Sequence, residues 1–335
     1  MNNVYPWHKS ALAHVEKQLT MGRLPHALLF RRRYGFFDDA LGQEIIKRLL
    51  CDSQQDKKNG KDNCKHCHLI DEKNHPNVLL LDVAEKKAAK EKVGIDDVRA
   101  IEQQMWQTSM FDKPKVAYIS GIDLLSIAAQ NALLKTLEEP PKNAFFILSV
   151  ENISRVLPTI MSRVQRLHHH KIEQQELLLW LQNHIGNNAP TEAEIAKIAK
   201  LADNAPEPTL ALLSAPDEVA KLEQEKKQFA LFLTGKISSK TLLATFDDKK
   251  ADEILRRYCR YTDSLITLLF KKSADNTDKT IEKSVQYPKW NGISMRSLYR
   301  LRDILVEHQH LAYTNVNMQM QLTTHLVDWQ NDRRS

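Results

Sequence analysis

The stretch NALLKTLEEPP at residues 131–141 decides how this chain is read. It closes a helix predicted over 127–138, stopped by Pro140-Pro141 because proline cannot continue a helix. The run KVAYIS at 115–120 upstream and the run AFFILSV at 144–150 downstream read as strands. A short helix at 156–162 leads into a further strand at 164–168, and the string MSRVQR across that join carries Ser162 and Arg163.

The same alternation extends toward the N-terminus. A helix at 12–21 precedes a buried strand at 24–30 (LPHALLF), a loop RRRYGFFDD and a helix at 40–51. That helix has apolar spacing at Leu41, Ile45, Ile46, Leu49 and Leu50. A lysine-rich insertion at 52–65 follows, then a strand at 77–83 after His75-Pro76, a charged loop at 86–92 and an amphipathic helix at 95–109. Its first turn holds Asp96 and Asp97, where negative charge suits the helix dipole. Strands alternating with helices imply a parallel sheet.

From residue 171 the strand signal disappears. Helices are predicted at 173–185, 191–201 and from 208, then at 217–234, 252–270, 294–309 and 317–330, with a polar loop at 273–291. The predicted fold class is thus α/β plus all-α, over three domains: 1–169, with a cysteine-containing insertion at 51–75, then 170–214 and 215–335.

Composition agrees with a multidomain helical protein. The 335 residues exceed one ordinary core, and nine glycines are few for a β-rich fold. Forty-eight basic residues against forty-two acidic give +6, compatible with a nucleic-acid neighbourhood without proving one. The start MNNVYPWHKS lacks the apolar core of a signal peptide, and no apolar run spans a membrane; a cytoplasmic location is expected.

The strand–loop–helix at 24–51 has the geometry of a phosphate-binding loop, whose intact form reads G-x-x-x-x-G-K-S/T. The matching residues at 32–39 are RRYGFFDD. Arg32 and Phe37 stand at the two glycine positions, Asp38 at the lysine and Asp39 at the Ser/Thr position. Phe37 blocks close backbone approach, and Asp38 sets a negative charge where polyphosphate needs a positive one. An ATPase of this type would also end the strand before residue 131 in Asp-Glu, to hold magnesium and activate water. Those positions are Ser120 and Gly121; Asp123 lies beyond and reads as a cap or turn residue. No ATP is expected to bind this chain.

Six motifs together resemble the AAA+ clamp-loader family of bacterial DNA polymerase III, specifically its delta-prime branch. They are HALLF, Cys51 with CKHC at 64–67, His75-Pro76, GIDDVRAIEQQMW, NALLKTLEEPP and Ser162-Arg163. The resemblance implies a RecA-like AAA+ domain, a three-helix lid and a helical collar that forms a hetero-pentamer with gamma/tau and delta subunits. It implies a part in loading the sliding clamp on primed DNA, as a non-ATPase component of a DNA-directed DNA polymerase holoenzyme. By resemblance Arg163, beside Ser162, is a finger reaching the γ-phosphate held by a neighbour; its planar guanidinium suits that task. The sequence departs from the family at Val164, where a Cys is usual. Glu207 stands at the lid's sensing arginine, and Ser149 at the first sensor.

The family's zinc module has four cysteines. Cys51, Cys64 and Cys67 match three, while Lys61 stands at the fourth, where an ammonium cannot ligate. His66, His68 or Asp62 could substitute, and a metal-free insertion is the alternative. Cys259 reads as a core residue, Trp180 and Trp329 as core or interface. Arg31-Arg32-Arg33 reads as a solvated loop, and His168-His169-His170 as a strand end whose side chains alternate and cannot all converge. Two other functions stay open at this level. An active gamma/tau-type ATPase would bind nucleotide, and a stand-alone zinc or nucleic-acid-binding regulator would bind DNA alone with a steep salt slope.

Overall fold

The structure, a computed structural model, describes residues 4–52, 64–89, 91, 93–168, 170, 172–185, 190–244, 246, 251–275, 293–311 and 318–332. Lys61, Asp62, His169 and most of the 273–291 stretch lie outside these. The chain divides into two compact units, Met1–Ala211 and Leu212–Ser335.

In the first unit a 3-10 turn (Pro6–His8) leads into α1 (Lys9–Thr20), β1 (Ala27–Arg31), α2 (Asp38–Leu50), α3 (Lys65–Asp71), β2 (Val78–Asp82), α4 (Val83–Ala88) and α5 (Ile95–Met105). Then come β3 (Lys115–Ser120), α6 (Ile127–Glu138), β4 (Ala144–Val150), α7 (Pro158–Met161), β5 (Gln165–Leu167), α8 (Gln174–Ile185), α9 (Glu192–Leu201) and α10 (Pro206–Leu213), whose last two residues are counted in the second unit. The five strands form one parallel sheet in the order β2-β3-β4-β1-β5. The central strands are buried on both faces, which is why they read as apolar runs rather than alternations.

The pleat divides their side chains between two cores. Ala27 and Leu29 pack with Val98 and Ile101 of α5 and Leu133 and Leu137 of α6. Leu28 and Phe30, pointing the other way, pack with Leu12 and Val15 of α1 and Leu41, Ile45 and Ile46 of α2. Strands β3 and β4 occupy the residues expected of them. Three expectations change. The charged run at 86–92 begins as α4, because the Asp82 carboxylate accepts the Glu85 N–H at 2.9 Å and caps that helix. Helix α5 stops at Met105, four residues early. Beyond it the Asn77 amide accepts from the Met110 N–H (2.7 Å) and donates to the Met110 and Lys113 carbonyls (2.5 and 3.1 Å), holding a turn there. The insertion contains α3.

The second unit holds α11 (Pro216–Thr234), α12 (Ser239–Leu243), α13 (Ala251–Asp275), α14 (Met295–Leu311) and α15 (Met318–Asp332). Trp329 is fully buried in its core, and its indole N–H donates to the Ser297 carbonyl at 2.7 Å. Cys259 lies in the same core, where burial and Asp263 push its thiol up to about 12. Among the described residues no helix is long and apolar enough to cross a membrane.

Candidate functional site

The loop after β1 is closed by its own side chains. Asp38, at the first position of α2, reads in the sequence as a negative charge standing where polyphosphate needs a positive one; its side chain is fully buried. It accepts hydrogen bonds from the Arg33 N–H (2.7 Å), Arg33 Nε (3.1 Å) and Arg33 Nη2 (3.1 Å), and pairs with His8 Nε2 at 2.8 Å. Thus the residue at the lysine position is a structural carboxylate. Its charge is met inside the molecule by Arg33 and is not displayed toward the loop.

Phe37 adopts the left-handed conformation (φ 55°), a strained choice for an aromatic residue. Its ring stacks on Tyr5 with centroids 4.7 Å apart, and Tyr5 in turn stacks on Trp7 at 5.2 Å. Trp180 of α8 packs edge-on against Trp7 at 5.2 Å, and the Trp7 N–H donates to the Phe36 carbonyl at 2.8 Å. Aromatic rings therefore fill the space beside the loop. Gly35 (φ 74°) lies so close to α10 that a Cβ there would sit 2.4 Å from Pro208 Cδ, and its carbonyl accepts the Glu207 N–H at 2.9 Å. Burial, with Asp39 nearby, raises the Glu207 carboxyl above its ordinary value, so the sensing-arginine position carries an acid.

Arg32 links the two altered motifs. Its Nη1 donates to Ser120 Oγ at 3.1 Å and lies 3.6 Å from Asp39 Oδ2. Ser120 Oγ lies 3.3 Å from Asp82 Oδ1, its register partner on β2. Burial works against the Arg32 charge, but Asp39, Glu151 and Asp82 outweigh it and hold the guanidinium above its ordinary value. Asp39 also accepts from Tyr118 OH at 2.8 Å; burial first, then that carboxylate, keeps the phenol protonated. Gly42 makes this possible, since a Cβ there would lie 2.8 Å from the Tyr118 ring. Asp82 thus supplies a carboxylate that the sequence reading missed, and Arg32 neutralises it. Gly121 is left-handed (φ 74°), and its N–H meets Ser149 Oγ at 3.3 Å. Asp123 accepts the N–H groups of Glu151 (3.1 Å) and Asn152 (3.0 Å), a loop-fixing role, while Ser126 caps α6.

Arg163 lies at a different corner. Its Nη2 pairs with Glu138 Oε1 at 2.5 Å, joining the 131–141 stretch to the Ser-Arg motif. Its Nη1 donates to the Thr159 carbonyl (2.7 Å) and Ser162 Oγ (3.1 Å). The Arg163 side chain is about one-third exposed and Glu138 about half. Gln130 fixes this corner: Nε2 donates to the Leu125 (3.3 Å) and Arg155 (3.1 Å) carbonyls, and Oε1 accepts the Leu157 N–H (2.9 Å). A polar residue just before an apolar helix face was the available signal for it.

The sulfurs of Cys51, Cys64 and Cys67 lie within 4.8 Å of one another. Burial and the neighbouring sulfurs push Cys67 up. Cys64 is lowered although burial opposes it, because the Cys67 and Asp52 backbones and the other two sulfurs hydrogen-bond to it. The donor set fits a thiophilic divalent ion. His66 and His68 do not join the cluster: His66 Nδ1 meets His75 Nε2 at 2.9 Å, and His68 faces Glu72 Oε2 at 3.4 Å. Among the described residues the group has three ligands.

A parallel five-stranded sheet with a phosphate-loop position between β1 and α2, followed by helices alone, defines a RecA-like AAA+ module with helical additions. Residues 7–173 match the family described as DNA polymerase III, delta subunit. DNA polymerase III subunit delta' of Haemophilus influenzae is 30% identical over 272 residues, 80% of this chain and 77% of that protein. Its Escherichia coli counterpart is 34% identical over 209 residues, 62% of this chain and 60% of that one. DNA polymerase III subunit tau of Bacillus subtilis is 27% identical over 90% of this chain and 56% of its own length. Among solved structures, a gamma subunit-related protein of Thermotoga maritima aligns over 98% of this chain and 100% of its own, at 16% identity and a TM-score of 0.43. The chain belongs to the DNA polymerase III delta-prime subunit family of clamp-loader proteins.

Proposed function

We propose that this chain is a clamp-loader subunit that neither holds nor hydrolyses ATP and lends Arg163 to nucleotide bound by an adjacent subunit. The observation that carries the reading is Arg32: its guanidinium lies between Asp39 and Ser120, where phosphate and magnesium would otherwise be held. A buried Asp38 and a plug of aromatic rings support it from either side. The same features disfavour the active-ATPase alternative.

Arg163 supports the second half of the reading by its chemistry and its freedom. An exposed ion pair is worth at most about 1 kcal/mol, so a neighbour's phosphate competes readily with Glu138. The partners are the gamma/tau and delta subunits, and through them the sliding clamp and primed DNA. Residues 1–169, 170–214 and 215–335 act in this proposal as AAA+ domain, lid and oligomerising collar. Zinc is proposed as a structural ion on Cys51, Cys64 and Cys67, tying the end of α2 to α3.

The test is a loader reconstituted from this chain with gamma/tau and delta. Arg163→Ala is expected to assemble normally and to lower clamp- and DNA-stimulated ATP hydrolysis by roughly 10³-fold at the site it serves. Normal assembly with unchanged turnover removes the finger assignment. Equilibrium dialysis of the purified chain with MgATP is expected to give no binding at millimolar nucleotide. Elemental analysis of the same sample decides the zinc.

A further inference from the structure

A cavity of about 310 Å³ opens at the carboxyl ends of β1, β4 and β5. Arg31, Arg33, Arg166, His168 and His170 line it, and among the described residues no carboxylate does. Its apolar wall includes Leu29, Val150 and Leu167, all buried.

The pleat explains the gathering. Strands β1 and β5 run parallel with Leu29 beside Arg166, and Arg31 pairs with Val150 of β4. Side chains two apart share a face, so Arg31 follows Leu29 while His168 follows Arg166. The spacing continues through Arg33 and His170, beyond the strands. Two of the five residues carry described acidic partners: Arg33 holds Asp38 through Nε and Nη2, and His170 lies 3.6 Å from Glu176. Arg166 pairs with no described residue. The Arg166 guanidinium, which no described carboxylate meets, attracts an anion, and the apolar wall strengthens that attraction by excluding water.

We infer that this cavity binds a compact phosphate or diphosphate group. Guanidinium forks match phosphate oxygens, and imidazoles add donors. The volume lies at the small end of ligand sites, roughly 300–1,000 Å³, so one or two phosphates fit. Among the described residues no Phe, Tyr or Trp lines the cavity, so a base would meet only imidazole and guanidinium planes. The site differs from the cradle that Arg32 fills, and it stands whether or not the chain lacks ATP.

The experiment is calorimetric titration of the full chain with inorganic pyrophosphate in magnesium-free buffer, with MgATP and a single-stranded oligonucleotide as parallel arms. One pyrophosphate site is expected, weakened about tenfold or more by Arg166→Gln and also by His168→Gln. Arg166 and His168 are both exposed, so these variants fold, which circular dichroism and an unchanged Tm would verify. Failure of pyrophosphate to bind, or binding indifferent to both variants, overturns the inference. Binding of the oligonucleotide alone overturns it too, in favour of an extended backbone contact. MgATP binding that ignores Arg166→Gln would count against the nucleotide-free reading and leave this one standing.

Discussion

The loop after β1 and the corner carrying Arg163, which the proposed function assigns to phosphate, have opposite electrostatic habits. At the loop, cations are consumed inside the molecule: Arg33 by Asp38, Arg32 by Asp39, Asp82 and Glu151. At the corner, the guanidinium is held, among the described residues, by a half-exposed glutamate and local oxygens. An arginine surrounded by buried or shared carboxylates is structural. One on a solvent-exposed latch remains available.

The sharpest way to break this contrast is at Asp38. Asp38→Lys restores the residue of an intact phosphate loop, yet it places a second cation against Arg33 and beside His8. Loss of a buried paired carboxylate costs about 3–5 kcal/mol, so urea unfolding should shift strongly and MgATP binding should not appear. A variant of normal stability would show that Asp38 is not the loop's internal counter-ion. Gly35→Ala comes next. It combines a left-handed backbone with a 2.4 Å clash against Pro208, for an expected loss of about 2–3 kcal/mol in the same assay.

Arg163→Ala is expected to change stability by less than about 1 kcal/mol, which separates the corner from the loop most directly. A loss comparable to that at Asp38 would make Arg163 a structural residue. The smallest effect is at Glu207, whose carboxyl is raised by burial and by Asp39. The folded state therefore favours its protonated form, and stability declines as pH rises from the ordinary value of 4.5 through the folded one. Glu207→Gln should raise the unfolding free energy slightly at pH 7, by no more than about 0.5 kcal/mol after solvent screening, and make no difference near pH 4.

Strands β3 and β4 and helix α6 were legible because each is a strong local pattern: an apolar run, or an apolar face closed by Pro140-Pro141. Helix α4 was not, since its start depends on one Asp82 cap within a run that looks like solvated loop. Of the site, the missing glycines, lysine and acids could be read directly. Where Asp38 points could not: its burial depends on His8, thirty residues away and outside any motif, and on Arg33, a position that the loop motif leaves unspecified. The basic cavity was equally hidden. Arg31 and His168 are distant in sequence and meet only because β5 pairs beside β1.

The side-chain amide of Gln130 clasps three backbone groups around the Arg163 corner without touching the loop after β1. The two ends of the domain therefore answer to separate anchors. Under the proposed function, a lineage can let its own fuel pocket decay, residue by residue, while the outward guanidinium keeps its seat.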